Sequence, residues 1–403
     1  MRPILHLFLL AGLTLGLLKP APAVAGRIPL TQGLGPRDAL LVTDAEGQVL
    51  AAHNPTQELV PASTLKIVTA LAARHYLGPD FRFQTDFLLD AQDNLLIRGF
   101  GDPLLVSEVL TDIAQTLRQR LDHPLNAILL DDGYFSKSLV IPGVSTTSNP
   151  YDAPNGALCV NFNTVNFTTR EGRIVSAEAQ TPLLPMAHQR IRASGLGQGR
   201  IVLSHRDNAA VLYAGALFKH FLQEAGLIVN GPVRLVTDTP ASLRRIYRHS
   251  SPFRLDDIIQ RLMAFSNNFM ANQLLLATGA HLHGAPGDLA KGARALNAYV
   301  TDVLGGQANL VEGSGISRAN RISAAVLMTA LERFQSLRHL MTHADGISYK
   351  TGTLHGIRTR AGYIDIGTKA PYRFVLFLNT TGKRPEPILK RIQKHIQTDR
   401  NPR

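Results

Sequence analysis

Pro61-Ala62-Ser63-Thr64-Leu65-Lys66-Ile67-Val68-Thr69-Ala70-Leu71-Ala72-Ala73 is a dense apolar stretch with no Gly or Pro after Pro61. Its length and composition predict a buried helix with Ser63 in the first turn. Residues three apart on a helix share a face, so Lys66 stands beside the Ser63 hydroxyl. Taken alone, Ser63 reads as a helix cap. Two further patterns change that reading: Ser266-Asn267-Asn268 in a helical segment and Lys350-Thr351-Gly352 in a strand. S-x-x-K, S-x-N and K-T-G each occur once in the 403 residues, and in that order.

Outward from this helix the chain divides. The short apolar runs 39–44 and 48–53 flank Glu46-Gly47 as a hairpin. Residues 81–240 mix strands (81–89, 127–130, 160–168, 200–203) with helices (105–121, 209–225), the pattern of a separate α+β insertion with a trimmed sub-domain near 168–208. From Phe253 the pattern is helical through 273–276 and 324–334, then gives strands at 347–354, 360–366 and 372–379 and a last helix over 387–397. The first and last strands then share one antiparallel sheet covered by helices. The expected fold class is α+β, with 26–80 and 241–403 forming one domain and 81–240 inserted into it.

The bulk figures exclude several classes. With 45% hydrophobic and 18% charged residues, the chain is too apolar for a disordered polymer and too mixed for a multi-span membrane protein. The single cysteine, Cys159, rules out an internal disulfide or a thiolate-rich metal site. Its apolar setting, Ala157-Leu158-Cys159-Val160, reads as a small buried hydrophobe. A net charge of +12 fits peripheral association with an anionic polymer or membrane surface. Nucleic acid is not expected as a partner, because the Lys and Arg residues are scattered without aromatic interleaving.

The N-terminus carries an address. Arg2, the apolar run 4–18 and Ala23-Val24-Ala25 make a positive start, a core and a small-x-small cleavage pattern. A signal peptide over 1–25 is expected, with the mature chain starting near Gly26 and exported to the periplasm or cell envelope. The run is shorter than the roughly 20 residues that span a bilayer, which disfavours an uncleaved anchor.

The three patterns have a chemical logic. A serine hydroxyl is a weak nucleophile until a neighbouring base takes its proton. Lys66 can be that base if desolvation and a second cation, Lys350, lower its pKa. Ser266 can relay the proton to a departing amine, and Asn268 can hold Lys66 and a substrate amide. Lys350, Thr351 and Thr353 on a strand edge offer a positive charge and hydroxyls to a carboxylate. An oxyanion would sit between the N–H groups of Ser63 and Thr353, in the field of the helix N-terminus.

The trio is that of penicillin-binding proteins and class A β-lactamases. More of the chain resembles the PBP4-type, class C penicillin-binding proteins, the D-alanyl-D-alanine carboxypeptidase/endopeptidases of serine peptidase family S13. The resemblance is carried by Leu59-Val60-Pro61-Ala62-Ser63-Thr64-Leu65-Lys66, Gly99-Phe100-Gly101-Asp102-Pro103, Leu130-Asp131-Asp132-Gly133-Tyr134-Phe135, Pro150-Tyr151-Asp152-Ala153-Pro154, Glu312-Gly313-Ser314-Gly315-Ile316-Ser317-Arg318 and Lys350-Thr351-Gly352-Thr353-Leu354. It implies a transpeptidase-like domain with an insertion between Ser63 and Ser266. Glu312 stands where the family usually has Asp, and the segment before Lys350 is short. The resemblance further implies catalytic roles for Ser63, Lys66, Ser266, Asn268 and Lys350, and substrate binding by Thr351, Gly352 and Thr353, with Asp131 and Phe135 near the diamino acid of the stem peptide. The implied activity is removal of the terminal D-Ala from peptidoglycan stem peptides through an acyl-enzyme, with cross-link cleavage as a second activity, β-lactams as inhibitors and no cofactor.

Rival readings are a β-lactamase or esterase of the same serine class, or a cell-wall binding protein without turnover. Class A β-lactamases carry a deacylating Glu, commonly in E-x-x-L-N, and no Glu here begins that pattern. His281 with His283, and His339 with His343 at helical spacing, invite a metal reading, but no Glu follows the first His and no third ligand is evident, so no metal is expected. The last helix gathers Ile388, Leu389, Ile392 and Ile396 on one side and is expected to pack on its own sheet.

Overall fold

In the computed structural model of the chain, residues 29–205, 208–236, 242–365 and 370–400 are described. The expected signal peptide 1–25, the junction at 240–241 and Ile366 lie outside them.

The strand nearest the N-terminus and the last strand lie side by side. Asp38–Thr43 runs antiparallel to Tyr372–Leu378, with Leu40 opposite Leu376. They are central in a six-stranded sheet, ordered Thr342–Ala344, Ile347–Leu354, Ile357–Ile364, Tyr372–Leu378, Asp38–Thr43, Val49–His53. Alternation along the strands divides the apolar side chains between two faces. Ala39, Leu41, Ala361, Tyr363, Val375 and Phe377 meet the apolar sides of the helices Lys66–Leu77, Leu255–Phe265, Asn268–His283 and Ala324–Phe334. Leu40, Val42, Phe374 and Leu376 meet Ile388, Leu389, Ile392 and Ile396 of the C-terminal helix Glu386–Arg400. That helix therefore spends its apolar side on the sheet.

A second sheet comes from the middle of the chain, in the order Val233–Leu235, Ala127–Asp131, Asn94–Gly99, Gln84–Asp90, Leu243–Ser250. The helices Ser107–Arg118 and Ala209–Glu224 cover one face through a core containing Phe87, Ile97, Ile113, Leu130 and Phe218. Leu243–Ser250 lies beyond the expected limit at 240, yet pairs along Gln84–Asp90. Its many cations hide a strand: Arg248 donates to both Asp86 oxygens across the ladder, at 2.6 Å each. A smaller sheet, Arg173–Ser176, Thr164–Arg170 and Gln198–Val202, with the helix Pro185–Ser194, occupies the region where a trimmed sub-domain is expected.

The histidine pairs do not take the expected geometry. His339 ends a 3₁₀ turn and His343 sits on the following strand, hydrogen-bonded to Ser348 Oγ at 3.1 Å, so the two do not share a helical face. His281 and His283 are exposed at the end of their helix. Among the described residues, no group of His, Cys, Asp or Glu is arranged to hold a metal ion.

Candidate active site

Ser63 lies not in the α-helix proper but in a 3₁₀ turn, Ala62–Leu65, that leads into it. A 3₁₀ turn eclipses residues i and i+3, which sets Ser63 and Lys66 one above the other more closely than an α-turn would. Lys66 Nζ donates to Asn268 Oδ1 at 2.8 Å and to the Ser314 carbonyl at 2.6 Å, and lies within hydrogen-bond distance of Ser63 Oγ at 3.0 Å, where a neutral amine can accept the hydroxyl proton. These partners come from three separate parts of the chain.

The turn is entered through a strained residue. Ala62 has φ of +47°, a left-handed conformation that disfavours a side chain. Two glycines let the neighbouring segments close on it. A Cβ at Gly315 would fall 1.9 Å from the Ala62 carbonyl oxygen, and one at Gly352 would fall 2.9 Å from Ser63 N. Thr359 Oγ1 donates to the Pro61 carbonyl at 2.7 Å from the adjacent strand. The strand Ile347–Leu354 thus runs directly past the Ser63 amide.

Ser266 ends the helix Leu255–Phe265 in the left-handed conformation, with φ of +53°. Asn267 then caps the next helix by accepting from Met270 N at 3.0 Å, which leaves Asn268 at its first turn facing Lys66. Lys350 Nζ donates to Ser266 Oγ at 2.7 Å and to the Thr351 carbonyl at 3.1 Å. The five residues form two hydrogen-bonded groups: a triplet of Lys66 with Ser63 and Asn268, and a pair of Lys350 with Ser266. Thr351 is half-buried, Gly352 buried and Thr353 exposed on the same strand.

Both amines have left water. Lys66 is 0% exposed and Lys350 2%. Among the described residues neither makes an ion pair. Burial drives Lys66 well below the ordinary lysine value, the Lys350 charge pushes it further, and Glu312 opposes the shift. Lys350 is pushed down to about 8 by burial and by the Arg360 charge. Desolvation penalises the charged form of an amine, and a second cation adds to the penalty.

Glu312 organises the wall that supplies the Ser314 carbonyl. Its carboxylate is fully buried and accepts from Ser314 N and Oγ at 2.6 Å, Gly315 N at 2.7 Å and Asn320 Nδ2 at 2.6 Å. Motif reading did not give it this role, although Gly-Ser-Gly directly after an acid is the sequence trace of a carboxylate wrapped by backbone N–H groups. Tyr151 and Arg318 were likewise not singled out. The Tyr151 carbonyl accepts from Asn268 Nδ2 at 3.3 Å with its side chain 54% exposed, and Arg318 donates to the His355 carbonyl just beyond Leu354.

Asp131 and Phe135 are not brought to this cluster. Asp131 accepts from Arg98 Nε at 2.6 Å on the second sheet. Phe135 is 2% exposed, and its ring lies where side chains at Gly101 and Gly287 would otherwise be. Neither makes a hydrogen bond, ion pair or ring contact with the five residues. Cys159 is buried and its thiol is pushed up to about 12, as an inert small hydrophobe should be.

Comparison with known proteins gives consistent results. The D-Ala-D-Ala carboxypeptidase 3 (S13) family model matches residues 33–199 and 197–345. The chain is 23% identical over 402 residues to the D-alanyl-D-alanine carboxypeptidase DacB of Haemophilus influenzae, covering 83% of each chain. It is 25% identical over 427 residues to the D-alanyl-D-alanine carboxypeptidase of Actinomadura sp. (strain R39), covering 87% of this chain and 78% of that one. The crystal structure of penicillin-binding protein 4 from H. influenzae superposes with a TM-score of 0.71 at 21% identity, over 91% of this chain and 98% of that one. That protein has also been solved complexed with a β-lactam. The family match spans most of the chain and includes the Ser63 and Ser266 motifs, and this chain belongs to the D-Ala-D-Ala carboxypeptidase 3 (S13) family of serine peptidases.

Proposed function

We propose that Ser63 attacks the carbonyl carbon of the penultimate D-Ala of a peptidoglycan stem peptide, and that neutral Lys66 takes the hydroxyl proton as the C–O bond forms. The amide C–N bond then breaks as Ser266, hydrogen-bonded to Lys350, gives its hydroxyl proton to the departing D-Ala amine and takes in its place the proton held by Lys66, which is neutral again. Lys66 then takes a proton from the water that attacks the ester on Ser63, and that proton goes to the Ser63 oxygen as the peptide acid leaves. Lys350 with Thr351 and Thr353 holds the terminal carboxylate. Asn268 keeps Lys66 in place, and Gly352 lets the strand approach the Ser63 amide closely enough to share an oxyanion site with the Thr353 amide. Asp131 and Phe135 serve as supports of the inserted region, whereas Tyr151 and Arg318 at the rim are better placed to meet the peptide.

One observation carries this reading: an amine with no exposed surface and, among the described residues, no ion-pair partner lies 3.0 Å from a serine hydroxyl. A buried lysine in that setting is held neutral and can act as a base. The division into a catalytic part, 26–80 and 241–403, and an insertion, 81–240, belongs to the same proposal, with the insertion's sheet extending to Ser250. Export to the envelope is supported by the N-terminal pattern and the substrate class, and acylation by β-lactams by the complex of the H. influenzae relative.

The test is to incubate the mature protein with labelled penicillin and, separately, with a defined pentapeptide. Attachment to wild type but not to Ser63→Ala, together with D-Ala release, is expected. Rapid penicillin turnover would point to a β-lactamase. Binding to sacculi that survives Ser63→Ala, with no D-Ala released by wild type, would point to a non-catalytic binder.

A further inference from the structure

The turn that carries Ser266 has two sides. Ser266 and Asn268 face the amines, whereas Phe265 and Asn267 line a cavity of about 590 Å³ behind them. Its walls are largely apolar, with Val106, Phe162 and Met270 among them, and join the inserted region to the helices of the catalytic centre. Phe265 stands at the rim with 76% of its surface exposed, although it adjoins a residue of the reacting cluster. An aromatic left in water beside an open apolar cavity marks a surface that a ligand covers.

The cavity also carries charge. Arg261 lies in its wall with its guanidinium 4.5 Å above the Phe253 ring and donates to the Asp257 carbonyl at 3.1 Å. Among the described residues it makes no ion pair with a carboxylate. Of the other two charges there, Arg200 is paired with Glu178, and Glu108 keeps its negative charge on the wall of the inserted region, where it accepts from Gln180 at 2.9 Å. Arg261 is therefore the lining cation that has no carboxylate partner among the described residues, and its planar guanidinium suits a ligand carboxylate.

We propose that this cavity is a leaving-strand subsite, which receives the anionic peptide released when a cross-link between two stem peptides is cut. The inference rests on the DD-peptidase reading above. In that reading Ser266 hands a proton to the departing amine, so the space beyond the Ser266 turn lies on the leaving-group side. A free D-Ala leaves this cavity empty. A second stem peptide, with carboxylates and aliphatic stretches, is large enough to pass over Phe265 and place a carboxylate on Arg261.

The experiment compares wild type, Arg261→Ala, Arg261→Lys and Val106→Trp, the last filling the cavity from a different wall. D-Ala release from a pentapeptide, cleavage of a defined cross-linked dimer and acylation by labelled penicillin are each measured. Dimer cleavage is expected to fall about tenfold in kcat/KM in Arg261→Ala and Val106→Trp, with partial recovery in Arg261→Lys, while the other two rates stay within about twofold. Parallel loss of all three rates, or unchanged dimer cleavage in both variants, overturns the inference. Wild type that releases D-Ala yet leaves the dimer intact refutes the subsite alone. Wild type that neither releases D-Ala nor takes penicillin refutes the reading beneath it as well.

Discussion

The catalytic cluster and the second sheet handle cations in opposite ways. On the second sheet, Arg248 meets Asp86 and Arg98 meets Asp131 through pairs at 2.6 Å, and both arginines keep part of their surface in water. Each charge there has a partner and is retained. In the cluster, Lys66 and Lys350 are stripped of water and paired with hydroxyl, amide and carbonyl groups only. Lys350 lies near enough to push the Lys66 pKa down, and the Glu312 carboxylate is taken up by the backbone N–H groups of its own loop. One region pairs each cation with a carboxylate and holds a sheet, and the other leaves two buried amines without one, which in the proposal above makes Lys66 a base. The difference lies in what surrounds each cation.

Ser63→Ala should break the cluster most severely, removing penicillin attachment and lowering D-Ala release by about a thousandfold or more, as loss of a nucleophile does elsewhere. Retention of either activity would place the chemistry on another residue. Lys66→Met should approach the same loss while the protein still folds, because it removes a buried amine and leaves an apolar chain of similar length. Circular dichroism checks the folding, and a Lys66→Met protein still acylated at the wild-type rate would separate the lysine from the chemistry.

Glu312→Ala should come next, as a loss of stability of about 3–5 kcal/mol, since it leaves the N–H groups of a buried loop without their acceptor. The milder Glu312→Gln removes the charge that opposes the Lys66 shift. Lys66 should then lose its proton at still lower pH, and the acidic limb of the acylation profile should move down, not up. A smaller effect concerns stability against pH. Lys350 has its folded pKa pushed down to about 8 from an ordinary 10.5. Below about 8 both states are protonated and the burial penalty is present in full. Between the two values the unfolded state binds the extra proton, so stability should rise with pH across that window. Urea midpoints on either side of the window, in wild type and Lys350→Met, check the sign: the substituted protein should show a flatter rise. Asp131→Asn, on the second sheet, should be the mildest change, at about 0.2–1 kcal/mol for a half-exposed pair and with D-Ala release nearly intact. A large loss of D-Ala release there would return Asp131 to the substrate.

How much of this was legible beforehand depended on the range of the interaction. Ser63, Lys66, Ser266, Asn268 and Lys350 could be proposed together because local pattern marks each one, and the pairing of the first and last strands followed from element order. The strand Leu243–Ser250 was hidden because Arg244, Arg245 and Arg248 disguise its alternation, and only its neighbour across the ladder, Asp86, explains Arg248. Phe135 was expected beside the substrate because of the family motif it stands in, and nothing local showed that Gly101 and Gly287, distant in sequence, create the space that buries its ring. The histidine spacing at 339 and 343 mimicked one helical face because nothing local showed that the helix gives way to a strand between them. Glu312 was visible as part of a motif, while its role depended on which N–H groups the fold would turn toward it.

The pH dependence of Ser63 acylation by labelled penicillin tests the central claim most directly. A neutral Lys66 requires the rate to rise as pH climbs through its depressed pKa and to reach a plateau well below the ordinary lysine value of 10.5, with the rise abolished in Lys66→Met. A rate that keeps climbing to the ordinary lysine value would show that burial does not hold Lys66 neutral, and a profile that survives unchanged in Lys66→Met would show that Lys66 is not the base.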